Sequence, residues 1–113
     1  MEIKAANRKR ILFVDDDADT TAVIKRGLTL QGFEVETFID PKSAVQHFKT
    51  GMYDLLLLDV LMKGLGGFEL YEKMRKIDEN IHICFISASN TYEKYETISS
   101  NSERMFHTKA SYD

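Results

Sequence analysis

The stretch Asp54 to Gly67, DLLLLDVLMKGLGG, constrains the fold more than any other part of the chain. Leu55 to Leu58 is an unbroken apolar run, ended by the carboxylate of Asp59 and then by glycines. A run this short suits a strand buried on both faces, as in a parallel sheet covered by helices. Ligands of such sheets gather beyond the carboxyl ends of the strands. Packing gives a buried strand no reason to finish in an ionised group. Asp59 is either a strand end turning into solvent or the reactive centre of the chain, and this stretch alone leaves the two readings equal.

The rest of the chain supplies strands and helices in alternation. Ile11–Val14 reads as a short buried strand stopped by Asp15, Asp16 and Asp17. A helix follows over about Ala18–Gln31, with Gly32 placed to end it in a left-handed cap. Glu34–Phe38 alternates like an edge-side strand. Asp40-Pro41 then offers a cap and a first-turn proline for a helix over Pro41–Thr50. After the leucine strand and its loop, a helix over Gly67–Ile77 buries Phe68, Tyr71, Met74 and Leu70. Ile81–Ile86 is a fourth strand, residues 91–101 a helix striped by Tyr92, Tyr95 and Ile98, and Met105–Thr108 a fifth strand meeting Lys109. Strands alternating with helices of about ten residues predict right-handed βαβ units and one parallel sheet.

Size and composition narrow the function classes. The 113 residues, 43% hydrophobic and 29% charged, suit a single domain over 1–113, with residues 1–10 as a flexible basic lead. No apolar run approaches the ~20 residues of a membrane span, and the start lacks the long apolar segment of a secretory signal. The expected setting is cytoplasmic, away from membranes. Cys84 is the single cysteine, which excludes an internal disulfide and reads as a buried structural thiol. His47, His82 and His107 are too scattered for a metal-ligand pattern. A net charge of −3 argues against direct nucleic-acid binding through bulk charge.

In one parallel sheet all strand ends share an edge. There the strands deliver Asp15 and Asp16, then Asp59, then Ser87, then Lys109. Carboxylates so close repel one another. A hard divalent cation relieves that repulsion, and oxygen-only ligands favour Mg2+ or Ca2+. A hydroxyl and an ammonium beside them suit an anion arriving with the metal, and phosphoryl transfer needs little beyond positioning and charge neutralisation.

ILFVDDD, LLLLDVLMKGLGG, FISAS and FHTKA resemble, in order and spacing, the receiver domain of two-component response regulators, over residues 11–110. The resemblance implies a flavodoxin-like (CheY-like) α/β sandwich with a five-stranded parallel sheet ordered 2-1-3-4-5. It implies a signalling switch rather than an enzyme acting on other molecules. Asp59 would accept a phosphoryl group from a sensor histidine kinase or phosphotransfer protein. Asp16, Asp59 and the backbone carbonyl of Leu61 would hold Mg2+, with Asp15 binding mainly through a metal water. Ser87 would bond a phosphoryl oxygen, and Lys109 would offset the added charge. Phe106 falls at the aromatic switch position and reads equally as a core side chain of the last strand.

Three departures stand beside the resemblance. Lys63 and Gly66 replace the proline and aspartate usual after the acceptor, and Leu61 offers nothing to guide water, which implies slow self-hydrolysis. Ala110 replaces the proline that usually follows the lysine. The chain also stops at ASYD, where a fifth helix would ordinarily form over one sheet face. Uncovered strands there would favour self-association as a homodimer or another protein partner, and output would pass by contact to a downstream effector protein.

Two other readings compete with this one. A phosphorylation-independent pseudo-receiver would act by protein contact alone. Asp17-Ala18-Asp19-Thr20-Thr21 also has the D-x-D-x-T pattern of haloacid-dehalogenase-type phosphatases, but it begins two residues late after the strand. An EF-hand over Asp15, Asp17 and Asp19 fails, since Thr20 and Arg26 stand where glycine and glutamate are required.

Overall fold

A computed structural model of the chain describes residues 8–88, 90–101 and 105–106. The central strand β1, Arg10–Val14, pairs in parallel with β2, Glu34–Phe38, and with β3, Leu55–Asp59. β3 pairs in turn with β4, His82–Ile86, so the sheet order is β2-β1-β3-β4. The helices are α1, Ala18–Leu30; α2, Pro41–His47; α3, Gly67–Ile77; and α4, Thr91–Ser100.

The leucine run is buried throughout, and its alternation divides the core between two faces. Leu56 and Leu58 join Leu12, Val14 and Ile83 on the face covered by α2 and α3, through Ala44, Leu70, Tyr71 and Met74. Leu55 and Leu57 join Ile11, Phe13 and Ile86 on the other face, under Ile24 and Leu28 of α1 and Ile98 of α4.

Local chemistry sets the helix ends. Asp17 caps α1 by accepting from Asp19 N–H and Thr20 N–H, and Asp40 caps α2 with Pro41 in its first turn. α2 stops at His47, earlier than the expected Thr50. Phe48 turns extended, at φ −69° and ψ 135°, and stacks its ring on Tyr53 in the core. α3 starts hard against β3: a Cβ on Gly67 would collide with the Asp59 carbonyl, so this position requires glycine.

Three expectations need correcting. Phe68 is 54% exposed, not buried; it leans on the ring of Phe85, and Leu70 takes the core position. The second correction concerns the fifth strand. Met105 is helical, its N–H donating to the Asn101 carbonyl, and Phe106 lies in a turn; 107–108 fall outside the described residues. Third, the sheet face expected to lie bare is covered. α4 packs beside α1 on that face, and Ile11, Phe13, Leu55, Leu57 and Ile86 are at most 1% exposed. Tyr95 lies over Gly27, where any Cβ would run into its ring. The physical reason for self-association through that face is thereby removed.

Candidate phosphoacceptor site

The register puts the acidic groups at one lip of the sheet. Val14 pairs with Leu58 and Asp59 with Ile86, so Asp15 and Asp59 leave adjacent strands at the same level. Asp15 is fully buried and Asp59 is 4% exposed, with Asp16 beside them at intermediate depth. Their ligand oxygens all lie within 4.8 Å of one another.

Backbone donors fix each carboxylate. Asp15 Oδ1 accepts from Asp17 N–H at 3.0 Å, and Asp59 Oδ1 from Leu61 N–H at 3.4 Å. Asp16 Oδ2 accepts from Lys63 N–H at 3.0 Å. That donor exists because residue 63 is not the usual proline, which carries no N–H. The departure therefore ties the loop after β3 to Asp16.

Among the described residues the cation in the cluster is Lys94, which the sequence pattern does not single out. Its Nζ is 2.7 Å from Asp15 Oδ2 and 3.3 Å from Asp59 Oδ2, and the residue is only 7% exposed. Thr91 hydroxyl meets Thr20 hydroxyl at 2.7 Å, which holds the start of α4 to the start of α1 and brings Lys94 inward. Thr91, Lys94 and Ile98 are separated by three and four residues and share the inward face. That spacing, opposite a triple aspartate, was the available signal.

Burial, and then the charge of Asp15, push the Asp59 carboxyl above the ordinary carboxylate value, with Lys94 only partly opposing them. Burial works to lower Lys94. The hydrogen bond and charge of Asp15, helped by Asp59, overcome it and hold the ammonium above the ordinary lysine value. Among the described residues, three carboxylates against one ammonium leave an excess of negative charge, and the donors are all oxygen. This donor set fits a hard divalent cation.

The other expected site residues are placed as follows. Ser87 is exposed and lies one residue beyond Ile86, the partner of Asp59, on the same edge of the sheet. The Leu61 side chain is 77% exposed. Phe106 is not brought to this edge. It stacks on Phe33 at 5.4 Å and lies under Lys9 Nζ at 5.9 Å, beside residues that precede β2 and β1. A five-residue strand of about 16 Å separates that end from Asp59. Lys109 lies outside the described residues. Cys84 is half-buried, and burial raises its thiol.

The family model for the response regulator receiver domain matches residues 11–109. The transcriptional regulatory protein PrrA of Mycobacterium leprae is 37% identical over 84 residues, 74% of this chain and 36% of PrrA. YrkP of Bacillus subtilis, an uncharacterized transcriptional regulatory protein, is 39% identical over 88 residues, 77% of this chain and 37% of YrkP. The chain thus spans little more than a third of the length of these relatives. Among solved structures, the response regulator protein TrrA of Thermotoga maritima, in complex with Mg2+ and BeF, aligns with a TM-score of 0.73 and 26% identity. That alignment covers 86% of this chain and 98% of TrrA.

Proposed function

Since the chain belongs to the response regulator receiver domain family, we propose that it works as a phosphorylation-dependent switch with Asp59 as the acceptor. The observation that carries this reading is the enclosed Asp59 carboxylate, clustered with Asp15 and Asp16 at the strand ends and held by Leu61 N–H and Lys94.

In the transfer, a carboxylate oxygen of Asp59 attacks phosphorus on a phosphohistidine. The P–N bond breaks, its electron pair stays on the imidazole nitrogen, and Asp59 ends as an acyl phosphate. Leu61 N–H fixes the rotation of the carboxylate, and the surrounding burial limits water. Asp15, Asp16 and Asp59, with the Leu61 carbonyl, would hold Mg2+, which supplies charge neutralisation for the phosphoryl oxygens. Ser87, one residue beyond the register partner of Asp59, would donate to the new phosphoryl group. Lys109 is carried here from the family pattern alone.

Phosphorylation raises the charge at Asp59 from one negative to roughly two, directly beside Lys94 of α4. Coupling on the order of 1–3 kcal/mol is typical of such switches. The donor would be a sensor histidine kinase or phosphotransfer protein in the cytoplasm, and the receiving partner an effector protein. The hydrocarbon of Leu61 cannot orient water, so self-hydrolysis of the acyl phosphate is slow.

A wild-type chain labelled by acetyl phosphate with Mg2+, and an Asp59→Asn chain that is not, is the expected outcome. Equal labelling of both refutes the acceptor assignment. The Lys94 ion pairs also complete the site without phosphate, which favours phosphorylation-independent contact as the second reading. A folded wild-type chain that never labels would select it.

A further inference from the structure

We propose that Lys94 is a resident counter-ion of the acceptor site. Its ammonium bridges Asp15 and Asp59 in the metal-free protein, and a divalent cation bound there displaces it and loosens α4. This inference rests on reading the acidic cluster as a cation site and goes beyond it.

Nζ fills the gap between two of the three clustered carboxylates, at 2.7 Å and 3.3 Å from their Oδ2 atoms. The opposite oxygens are already engaged, Asp15 Oδ1 by Asp17 N–H and Asp59 Oδ1 by Leu61 N–H. Asp16 Oδ2 is likewise held by Lys63 N–H. A cation shared by Asp15 and Asp59 therefore competes with the ammonium for the Oδ2 atoms. Like charges this close repel strongly where little water screens them.

Little of Lys94 is open to water. With 7% of the residue exposed, an ammonium stripped of both carboxylates in place would be an unpaired buried charge, which is costly. It reaches water only if the first turns of α4 shift. The holds that must give are the Thr20–Thr91 hydroxyl contact and the seat of Tyr95 over Gly27. Metal loading thus reaches the same helix that covers one sheet face.

Calorimetric titration of the full chain with Mg2+ alone, paired with hydrogen exchange of residues 91–100, tests this. Lys94→Met should bind Mg2+ roughly fivefold tighter or more, the lower end of ordinary site coupling. Mg2+ should speed exchange of the α4 amides in the wild type and leave them unchanged in Lys94→Met. Should that variant fail to fold, Lys94→Gln keeps a neutral polar head there and carries the same expectation. Equal or weaker Mg2+ binding by the neutral variant, or slower α4 exchange in the wild type on adding Mg2+, overturns the counter-ion while leaving the cation site intact. A wild type that binds no Mg2+ overturns both.

Discussion

The two faces of the sheet are built on different terms. Under α2 and α3 the core is almost entirely hydrocarbon and aromatic, from Leu56 and Leu58 to Leu70, Tyr71 and Met74. Under α1 and α4 the hydrocarbon is present too, in Ile24, Leu28 and Ile98, but α4 is also held by a hydroxyl pair and by a lysine shared between two carboxylates. Apolar packing is insensitive to charge at the lip of the sheet, whereas an ion-paired helix responds to any change there. The first face suits a fixed scaffold and the second suits a moving part.

Substitutions test that division in descending order of effect. Leu56→Ala should cost about 2–5 kcal/mol of global stability by leaving a cavity in the first face. Chemical denaturation would register it, and the loss should be shared by all strands in hydrogen exchange. Ile98→Ala opens a comparable gap, yet its mark should be local: α4 amides lose protection while α3 amides keep theirs. Uniform loss of protection in both variants would erase the distinction between the faces.

Gly27→Ala comes next. The new methyl group meets the Tyr95 ring, and overpacking of this kind costs about 1–3 kcal/mol. Release of α4 with the first face undisturbed is the expected exchange pattern.

A smaller effect, of opposite sign, is expected at Asp59. Its raised folded-state pKa means that its contribution to stability is full below the ordinary 3.8 and is lost as pH rises through the folded value. Ionised Asp59 is therefore a burden at neutral pH in the metal-free protein. Asp59→Asn should raise the melting midpoint at pH 7, and the gain should shrink as pH falls toward 4. A gain that grows on acidification would contradict the assigned direction. Smallest of all, Lys63→Pro removes the exposed N–H that holds Asp16. Weaker Mg2+ binding with little change in the melting midpoint is its expected signature.

Sequence pattern revealed the first face and the lip more fully than the second face. LLLLD announced a doubly buried strand through its composition, and Asp40-Pro41 announced a helix start through local hydrogen bonding and a fixed φ. Parallel pairing then forces Asp15, Asp16 and Asp59 together. Phe68 was misjudged because helical spacing alone does not settle which neighbouring residue faces the sheet. Lys94 was passed over because a charged residue in TYEKYETISS reads as solvent-facing. Only its three-dimensional approach to two buried carboxylates makes burial tolerable. The covering of the second face was hidden for a related reason. Strand and helix periodicity identify elements, but not which side of a sheet a helix after the last described strand will take.

The central claim is that Asp59 carries the phosphoryl group. Peptide mapping by mass spectrometry, after acetyl phosphate treatment with and without Mg2+, tests it most directly. The account predicts a phosphoryl group on the Asp59 peptide alone, formed only with Mg2+. A modified site elsewhere, or equal labelling of Asp59 without the metal, would contradict it.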